Sequence, residues 1–342
     1  MKKATIYDVA IKSGVSTATV SRVLNNADYP VSQELRAKVL NAVTELAYEP
    51  NLLGKYLKTR ENREIGVIIP NISNYFYPLL LLGVHDIAFQ HGYQIILCNS
   101  YRESELEIKN FNFLIRKQVM GILTFPLTTS NDYLHKYVRR GGNVVLLESS
   151  SDDEISRVTY NYFQGGYMAC QHLLEYGHRR ISFAGAPLTR HSRIQQYLGF
   201  KQCLLDNGLE PDESLIYIAK GEKESISVYE FENGRALAQM ILKSKERPTA
   251  VFCVNDMTAI ALLQEFHNQG VDVPNDISVV GFDDLNLSAY CIPPLTTVDQ
   301  HIYEMGTIAT KMLIDSIENP SAEISTIQLE PTLVLRESTR KI

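Results

Sequence analysis

Residues 5–25 read TIYDVAIKSGVSTATVSRVLN. Ile6, Val9 and Ala10 fall at i, i+3 and i+4, so one face of a first helix is apolar. Ser13-Gly14 breaks that pattern, because glycine takes the positive φ that a tight turn needs. Val15-Ser16 restarts it: Ser16 suits an N-cap and Val15 a hydrophobic anchor ahead of the cap. Val20, Val23 and Leu24 give a second helix its own apolar stripe. The opposite face holds Thr17, Ala18, Ser21, Arg22 and Asn25. It is short and polar, with one Arg and no carboxylate, which suits a helix entering a DNA major groove. Periodicity alone is equally consistent with a small helical hairpin that binds nothing.

The fixed positions decide between the two. Asp8 to Asn25 reads D-V-A-x-x-x-G-V-S-x-x-T-V-S-R-V-L-N and resembles the head of the LacI/GalR family of bacterial repressors. Ser13 stands where that family usually has Ala. The resemblance implies a symmetric dimer placing two recognition helices in successive major grooves of a pseudo-palindromic operator. Thr17, Ala18 and Arg22 are then expected at base edges: Arg22 can bond a guanine bidentately, and Ala18 and the Thr17 methyl can meet a thymine methyl. Ser16, Thr19, Ser21 and Asn25 are expected at phosphates. Thr5, Tyr7 and Asn26 complete the expected DNA-facing set of the head.

A third helix follows. Val31-Ser32 is another anchor and cap, and Leu35, Val39, Ala42, Val43 and Leu46 form an apolar face, with Arg36 and Lys38 on the solvent side. Pro50 then disfavours helix at Glu49, and Asn51 can cap about two further turns. A helix that short is marginal alone, and Gly54 costs it roughly 1 kcal/mol more. Such a segment is a candidate to fold on binding; the bland alternative is a plain linker. It resembles the family's hinge helix, which implies that Leu53, Gly54 and Leu57 belong to the DNA-binding set, with Leu57 the wedge that kinks the minor groove. The expected organisation is a helix-turn-helix domain over 1–49, a hinge and linker over 50–63, and an effector-binding and dimerisation domain over 64–342.

From Ile65 onward short apolar strands alternate with amphipathic stretches: Ile65–Ile69, Gln94–Cys98, Gly121–Phe125, Val144–Leu147, Ile181–Ala184, Ala250–Val254 and Ser278–Phe282. That alternation predicts parallel sheets covered by helices, and its length predicts two α/β lobes. Several strings here also resemble the LacI/GalR body: Asn74-Tyr-Phe-Tyr77, Gly92-Tyr93, His172 to Ile181, Pro248-Thr-Ala-Val-Phe252, Asn255-Asp256, Val273-Pro274, Asp276 to Asp284 and Pro293-Pro-Leu-Thr-Thr297. The resemblance implies the fold of periplasmic sugar-binding proteins, with two lobes, three crossovers and a ligand cleft between them. The lobes are expected at 64–160 plus 292–322 and at 161–291 plus 323–342.

In open α/β sheets ligands bind beyond the carboxyl ends of the strands. The polar and aromatic residues there are Phe76, Tyr77, Glu148, Asn161, Arg190, Asn255, Asp256, Asp283 and Asp284. Carboxylates and amides can accept hydrogen bonds from vicinal hydroxyls, and aromatic rings stack on apolar sugar faces, so the set suits a polyhydroxylated ligand. Asn255 or Asp256 can equally cap the following helix, and one of Asp283 and Asp284 can simply hold a loop. Asn255 and Asp283 match effector positions implied by the resemblance, and Gln300 joins them. The family commonly carries an Arg where Gln196 stands, so Arg190 or Arg193 is expected to replace it, and the effector need not be the one a close sugar-repressor analogy suggests.

Composition frames these expectations. At 45% hydrophobic and 21% charged the chain is of ordinary globular type. The net charge of −6 is unevenly spread: residues 1–63 carry ten Lys/Arg against six Asp/Glu, and the remainder 23 against 33. A basic head on an acidic body confines phosphate contacts to the head. No apolar run reaches the roughly 18–20 residues of a membrane span, and the N-terminus lacks an apolar signal core, so a cytoplasmic protein is expected. Five widely spaced cysteines with no C-x-x-C pair predict free thiols, with no metal and no cofactor. The motifs of hydrolases, dinucleotide enzymes, P-loop proteins and zinc proteases are missing, which argues against an enzyme. A transporter's solute-binding protein would share the body but lack the head. The expectation is therefore a DNA-binding repressor, dimeric because no heptad tail follows Leu333–Arg336, and controlled by a sugar or sugar phosphate. The alternative is control by a phosphoprotein.

Overall fold

The computed structural model describes residues 4–24, 31–48, 63–127, 131–148, 154–220 and 229–342. The chain divides into two compact units, Met1–Asn62 and Arg63–Ile342.

In the first unit, α1 spans Ile6–Ser13, α2 Thr17–Leu24 and α3 Gln33–Glu45. Each start is capped, those of α2 and α3 by the serines the sequence predicts and that of α1 by Thr5. The Thr5 hydroxyl accepts the Asp8 N–H, and the Asp8 carboxylate accepts the Thr5 N–H at 2.8 Å, a reciprocal capping box. Ser16 Oγ accepts the Thr19 N–H at 3.2 Å, and Ser32 Oγ the Leu35 N–H at 3.3 Å. Gly14 closes α1 at φ +68°, a conformation that any side chain would strain. Val9, Ala10, Val20, Val23, Val39, Ala42 and Tyr48 are buried together. The third helix differs in detail from its predicted face. Leu35 is exposed, and Val43 and Leu46 sit at the margin of the core. Arg36 is half-buried instead of fully solvated, whereas Lys38 is exposed and pairs with Glu34 one turn away.

The second unit holds two six-stranded sheets. The first contains β1 (Glu64–Ile69), β2 (Gln94–Asn99), β3 (Gly121–Thr124), β4 (Asn143–Leu147) and β5 (Ser156–Tyr160). The second contains β6 (Ile181–Gly185), β7 (Ile216–Ile218), β8 (Ala250–Cys253), β9 (Ser278–Asp283) and β10 (Thr296–Asp299). β11 (Thr326–Leu329) then joins the first sheet and β12 (Thr332–Val334) the second. The orders are β11-β5-β4-β3-β1-β2 and β12-β10-β9-β8-β6-β7. Every pairing is parallel except β10 with β12. Helices α4 (Phe76–Gln90), α5 (Ser104–Arg116), α6 (Asp132–Val138) and α11 (Ile302–Glu318) accompany the first sheet. Helices α7 (Tyr162–Glu175), α8 (His191–Asp206), α9 (Tyr229–Leu242) and α10 (Asp256–Asn268) accompany the second.

The chain passes between the lobes after Tyr160, after Asp299 and after Leu329, giving the three crossovers implied by the family resemblance. The segments differ from the expected 292–322 and 323–342. Thr296–Asp299 stays in the second sheet, because the Pro293-Pro294 loop returns the chain beside β9, where Thr296 pairs with Val280. Thr326–Leu329 belongs to the first sheet, where it pairs with β5, so only the residues from β12 onward rejoin the second. α11 is anchored to the first lobe by a close approach to α4. A Cβ added to Gly306 would lie 2.3 Å from the Leu80 carbonyl, and one added to Gly83 2.2 Å from the Tyr303 carbonyl. Backbones that near transmit a shift of one helix directly to the other.

Cys98, Cys170, Cys203 and Cys253 are buried free thiols and Cys291 is a partly exposed one. His178 is structural: it contacts the Thr249 and Ser278 hydroxyls and the Arg340 carbonyl at 2.9–3.2 Å.

Candidate functional site

The head presents its polar helix to solvent. Thr5, Tyr7, Ser16, Ala18 and Arg22 are exposed, and Thr17, Thr19 and Ser21 are half-buried. Tyr7 keeps 69% of its surface accessible. Ser16 and Thr19 spend part of their hydrogen-bonding capacity on the cap of α2, with their hydroxyls 2.9 Å apart. Asn25, Asn26, Leu53, Gly54 and Leu57 lie outside the described residues.

The second site lies at the strand ends of the body. Nine of the ten expected effector residues line one cavity of about 80 Å³: Phe76, Tyr77, Glu148, Arg190, Arg193, Gln196, Asn255, Asp283 and Gln300. The tenth does not. Asn161 caps α7, accepting the Gln164 N–H at 3.1 Å, and donates to Glu330 at 2.9 Å. Its place directly after a strand is that of an N-cap, and the cap takes the side chain away from the cleft. Asn255 serves both uses, accepting the Thr258 N–H at 2.8 Å while it lines the cavity. Asp284 holds a loop, accepting from Arg336 at 2.7 Å.

The cavity wall also includes Asn74, Arg102, Tyr162, Ser192, Tyr229, Glu230 and Val254. Three rings stack edge-on at its first-lobe side: Phe76, Tyr77 and Phe125, with centroids 5.2–6.3 Å apart. Several wall residues hold left-handed backbone at a strand end: Arg102 at φ 60°, Glu148 at 56° and Asp283 at 127°. Non-glycine residues in such conformations cost of order 1–3 kcal/mol and cluster at functional sites. Burial pushes the Glu148 carboxyl up, opposed by the Tyr162 hydroxyl and by the Arg102 and Arg193 guanidiniums. Burial, and then the nearby Asp256 charge, raise Asp283 further, opposed by the Gln300 amide that donates to it. Arg193 is buried, donating to the Tyr229 hydroxyl at 2.8 Å and to the Pro187 carbonyl at 3.0 Å.

Asp256 supports this wall from behind. It accepts from the Leu285 N–H at 2.8 Å and from the Ser288 and Thr297 hydroxyls at 2.6 Å each. Burial nonetheless pushes it up to about 6. The folded state therefore binds its proton more tightly than the unfolded chain, whose carboxyl titrates near 4. Its contribution falls as pH rises from about 4 to about 6 and is constant outside that window. Asp256→Asn is expected to flatten the stability-against-pH profile of the body in that window, as followed by urea unfolding. An unchanged slope would mean that the three donors hold the carboxylate ionised throughout.

A three-helix head with a recognition helix and a two-sheet body enclosing a polar cleft define a class: DNA-binding regulators with a ligand-responsive core. The comparisons with known proteins agree. Residues 5–51 match the family described as bacterial regulatory proteins, lacI family, and residues 170–339 the periplasmic binding protein-like domain. Catabolite control protein A of Priestia megaterium is 34% identical over 98% of this chain and 99% of its own length. A lac repressor dimer bound to operator and the anti-inducer ONPF superposes with a TM-score of 0.84 at 26% identity, covering 99% and 100% of the two chains. A transcriptional regulator CelR–cellobiose complex superposes at 0.71 with 28% identity, covering 98% and 99%. The chain belongs to the LacI family of bacterial transcriptional regulators, and its body is the effector-binding domain of that family. Among the described residues no helix is long and apolar enough to cross a membrane.

Proposed function

We propose that this protein acts in the cytoplasm as a homodimeric repressor, reads a pseudo-palindromic operator with α2, and is switched by a small sugar or sugar phosphate in the cleft. The observation that carries the effector reading is the convergence of nine expected side chains, taken from both lobes, on one cavity. Rings, carboxylates and amides meet there, as recognition of a polyol requires. The cellobiose complex of a relative supports the same reading. Arg22, Ala18 and Thr17 read bases, and Thr5, Tyr7, Ser16, Thr19 and Ser21 hold the backbone. Exposed apolar side chains support the dimer: α4 carries Leu82 and Phe89 two turns apart on one face, and Tyr290 and Ile292 protrude from the loop after β9.

A ligand that closes the cleft changes operator affinity only through its differential affinity for the two lobe arrangements. The test is a thermal-shift screen of the full chain against sugars, sugar phosphates, nucleosides and nucleobases. A ligand at 100 times its Kd adds about 2.7 kcal/mol. A sugar or sugar phosphate hit that also alters operator affinity is the expected result. A response to none of the panel would transfer the regulatory role to a protein partner.

A further inference from the structure

One cavity residue belongs equally to the cleft and to the contact between the lobes. Glu230 lies in the first turn of α9 on the second lobe, and its carboxylate is almost fully buried. One oxygen, Oε1, accepts from Asn74 Nδ2 at 2.7 Å and from Arg102 Nη2 at 3.3 Å. Both donors come from the first lobe, beyond β1 and β2. The Arg102 guanidinium also lies over the Tyr229 ring, 5.4 Å from its centroid. The other oxygen, Glu230 Oε2, is buried with no hydrogen-bond partner, as are the Gln196 and Gln300 amide oxygens on the same cavity wall.

We infer that Glu230 is a latch and a specificity-determining effector contact in one carboxylate: Oε1 holds the lobes together across the cleft, and Oε2 takes a hydrogen bond from an uncharged donor on the ligand. This inference rests on the cleft being the effector site. These three oxygens are acceptors, so a ligand that completes them brings hydroxyl or N–H donors. A buried acceptor left unpaired is costly, which rewards such a ligand. A phosphate is disfavoured. Arg102 gives Nη2 to Glu230 and lies over the Tyr229 ring, and Arg193 donates to Tyr229 and Pro187. Glu148 and Asp283 line the same wall, and in their ionised forms they repel an anion. The site therefore narrows the effector to the unphosphorylated member of the sugar class, and it couples binding to closure through a single side chain.

The test has two arms on the full chain. In the first, spin labels at Lys109→Cys on α5 and Arg235→Cys on α9, in a Cys291→Ser background, report the distance between lobes by pulsed electron resonance without ligand. The parent is expected to give one short-distance population, and Glu230→Ala and Arg102→Met to shift it to longer distances. In the second, ribose, glucose and fructose are compared with ribose 5-phosphate, glucose 6-phosphate and fructose 1-phosphate by thermal shift. A neutral sugar is expected to bind, its phosphate to bind at least tenfold more weakly, and Glu230→Gln to lose at least tenfold in affinity for the neutral sugar. Unchanged distances in Glu230→Ala overturn the latch, and tighter binding of a phosphate than of its parent sugar overturns the specificity. Shifted distances with no sugar bound support the latch and refute the sugar effector alone.

Discussion

Val20→Asp is expected to abolish operator binding while the body still unfolds in its own transition. Val20 is wholly buried in the cluster formed with Val9, Val23, Val39 and Ala42. The head is a small unit, and small domains bury too little surface to be more than marginally stable. An unpaired carboxylate in such a core costs several kcal/mol even after it takes up a proton, which exceeds what the three helices can supply. The effect on binding is a loss of orders of magnitude, because α2 ceases to exist as a helix with a fixed face. Val20→Ala, which only leaves a small cavity, costs about 1–3 kcal/mol and weakens binding partially. Calorimetry of the full chain separates the two units: the variant keeps the body's heat absorption. Operator binding within tenfold of the parent would show that α2 is not the reading element.

Asp283→Asn is expected to stabilise the ligand-free body and to weaken effector binding together. Asp283 ends β9 with φ 127°, is buried, and has its carboxyl raised by that burial and by Asp256. An amide cannot ionise and keeps an oxygen that can accept from Gln300, so the loop retains its hydrogen bond without a buried carboxylate. Relief of this kind commonly yields about 0.5–2 kcal/mol. A hydrogen bond from a ligand hydroxyl to a carboxylate contributes about 1.5–3 kcal/mol, more than one to a neutral amide, so a sugar effector should bind roughly tenfold or more weakly. Stability and affinity moving in opposite directions identify a residue kept for recognition. A fall in both would make Asp283 a structural residue of the β9 loop.

The head was legible because every device that shapes it is local. Thr5 caps α1, Gly14 ends it, Ser16 and Ser32 cap the next two helices, and each acts within four residues of its own position. The seven strands rich in β-branched residues were legible for the same reason. Of the other five, β7, β10 and β11 carry no such signal. Ile216–Ile218 is three residues long, Thr296–Asp299 is half hydroxyl, and Thr326–Leu329 is a solvent-facing edge, so none stands out as an apolar run. Their pairing depends on partners far along the chain, and with it the assignment of segments to lobes.

The cleft divides in the same way. Residues directly beyond the central strands could be collected from the rule that ligands sit at strand ends, and most of them meet in the cavity. Asn161 shows where that rule fails, since the position after a strand is also the first position of a helix. Arg102 and Glu230 escaped because neither directly follows a strand expected from the sequence. Arg102 lies three residues past β2, in left-handed backbone, and Glu230 sits in the first turn of α9. What joins them is a tertiary contact across 128 positions. A single charged residue in a loop and one at a helix start carry no local mark of it.

The most direct test is selection of binding sites by the full chain from a random duplex library at near-physiological salt, without added ligand. Two α2 helices related by a dimer axis should enrich a pseudo-palindrome with half-sites about 10 base pairs apart, centre to centre. Arg22→Ala should relax the preference at one guanine position in each half-site, at a cost of about 1–3 kcal/mol. Enrichment of a single unrepeated half-site, or of no sequence at all, would contradict a dimeric repressor reading DNA through α2.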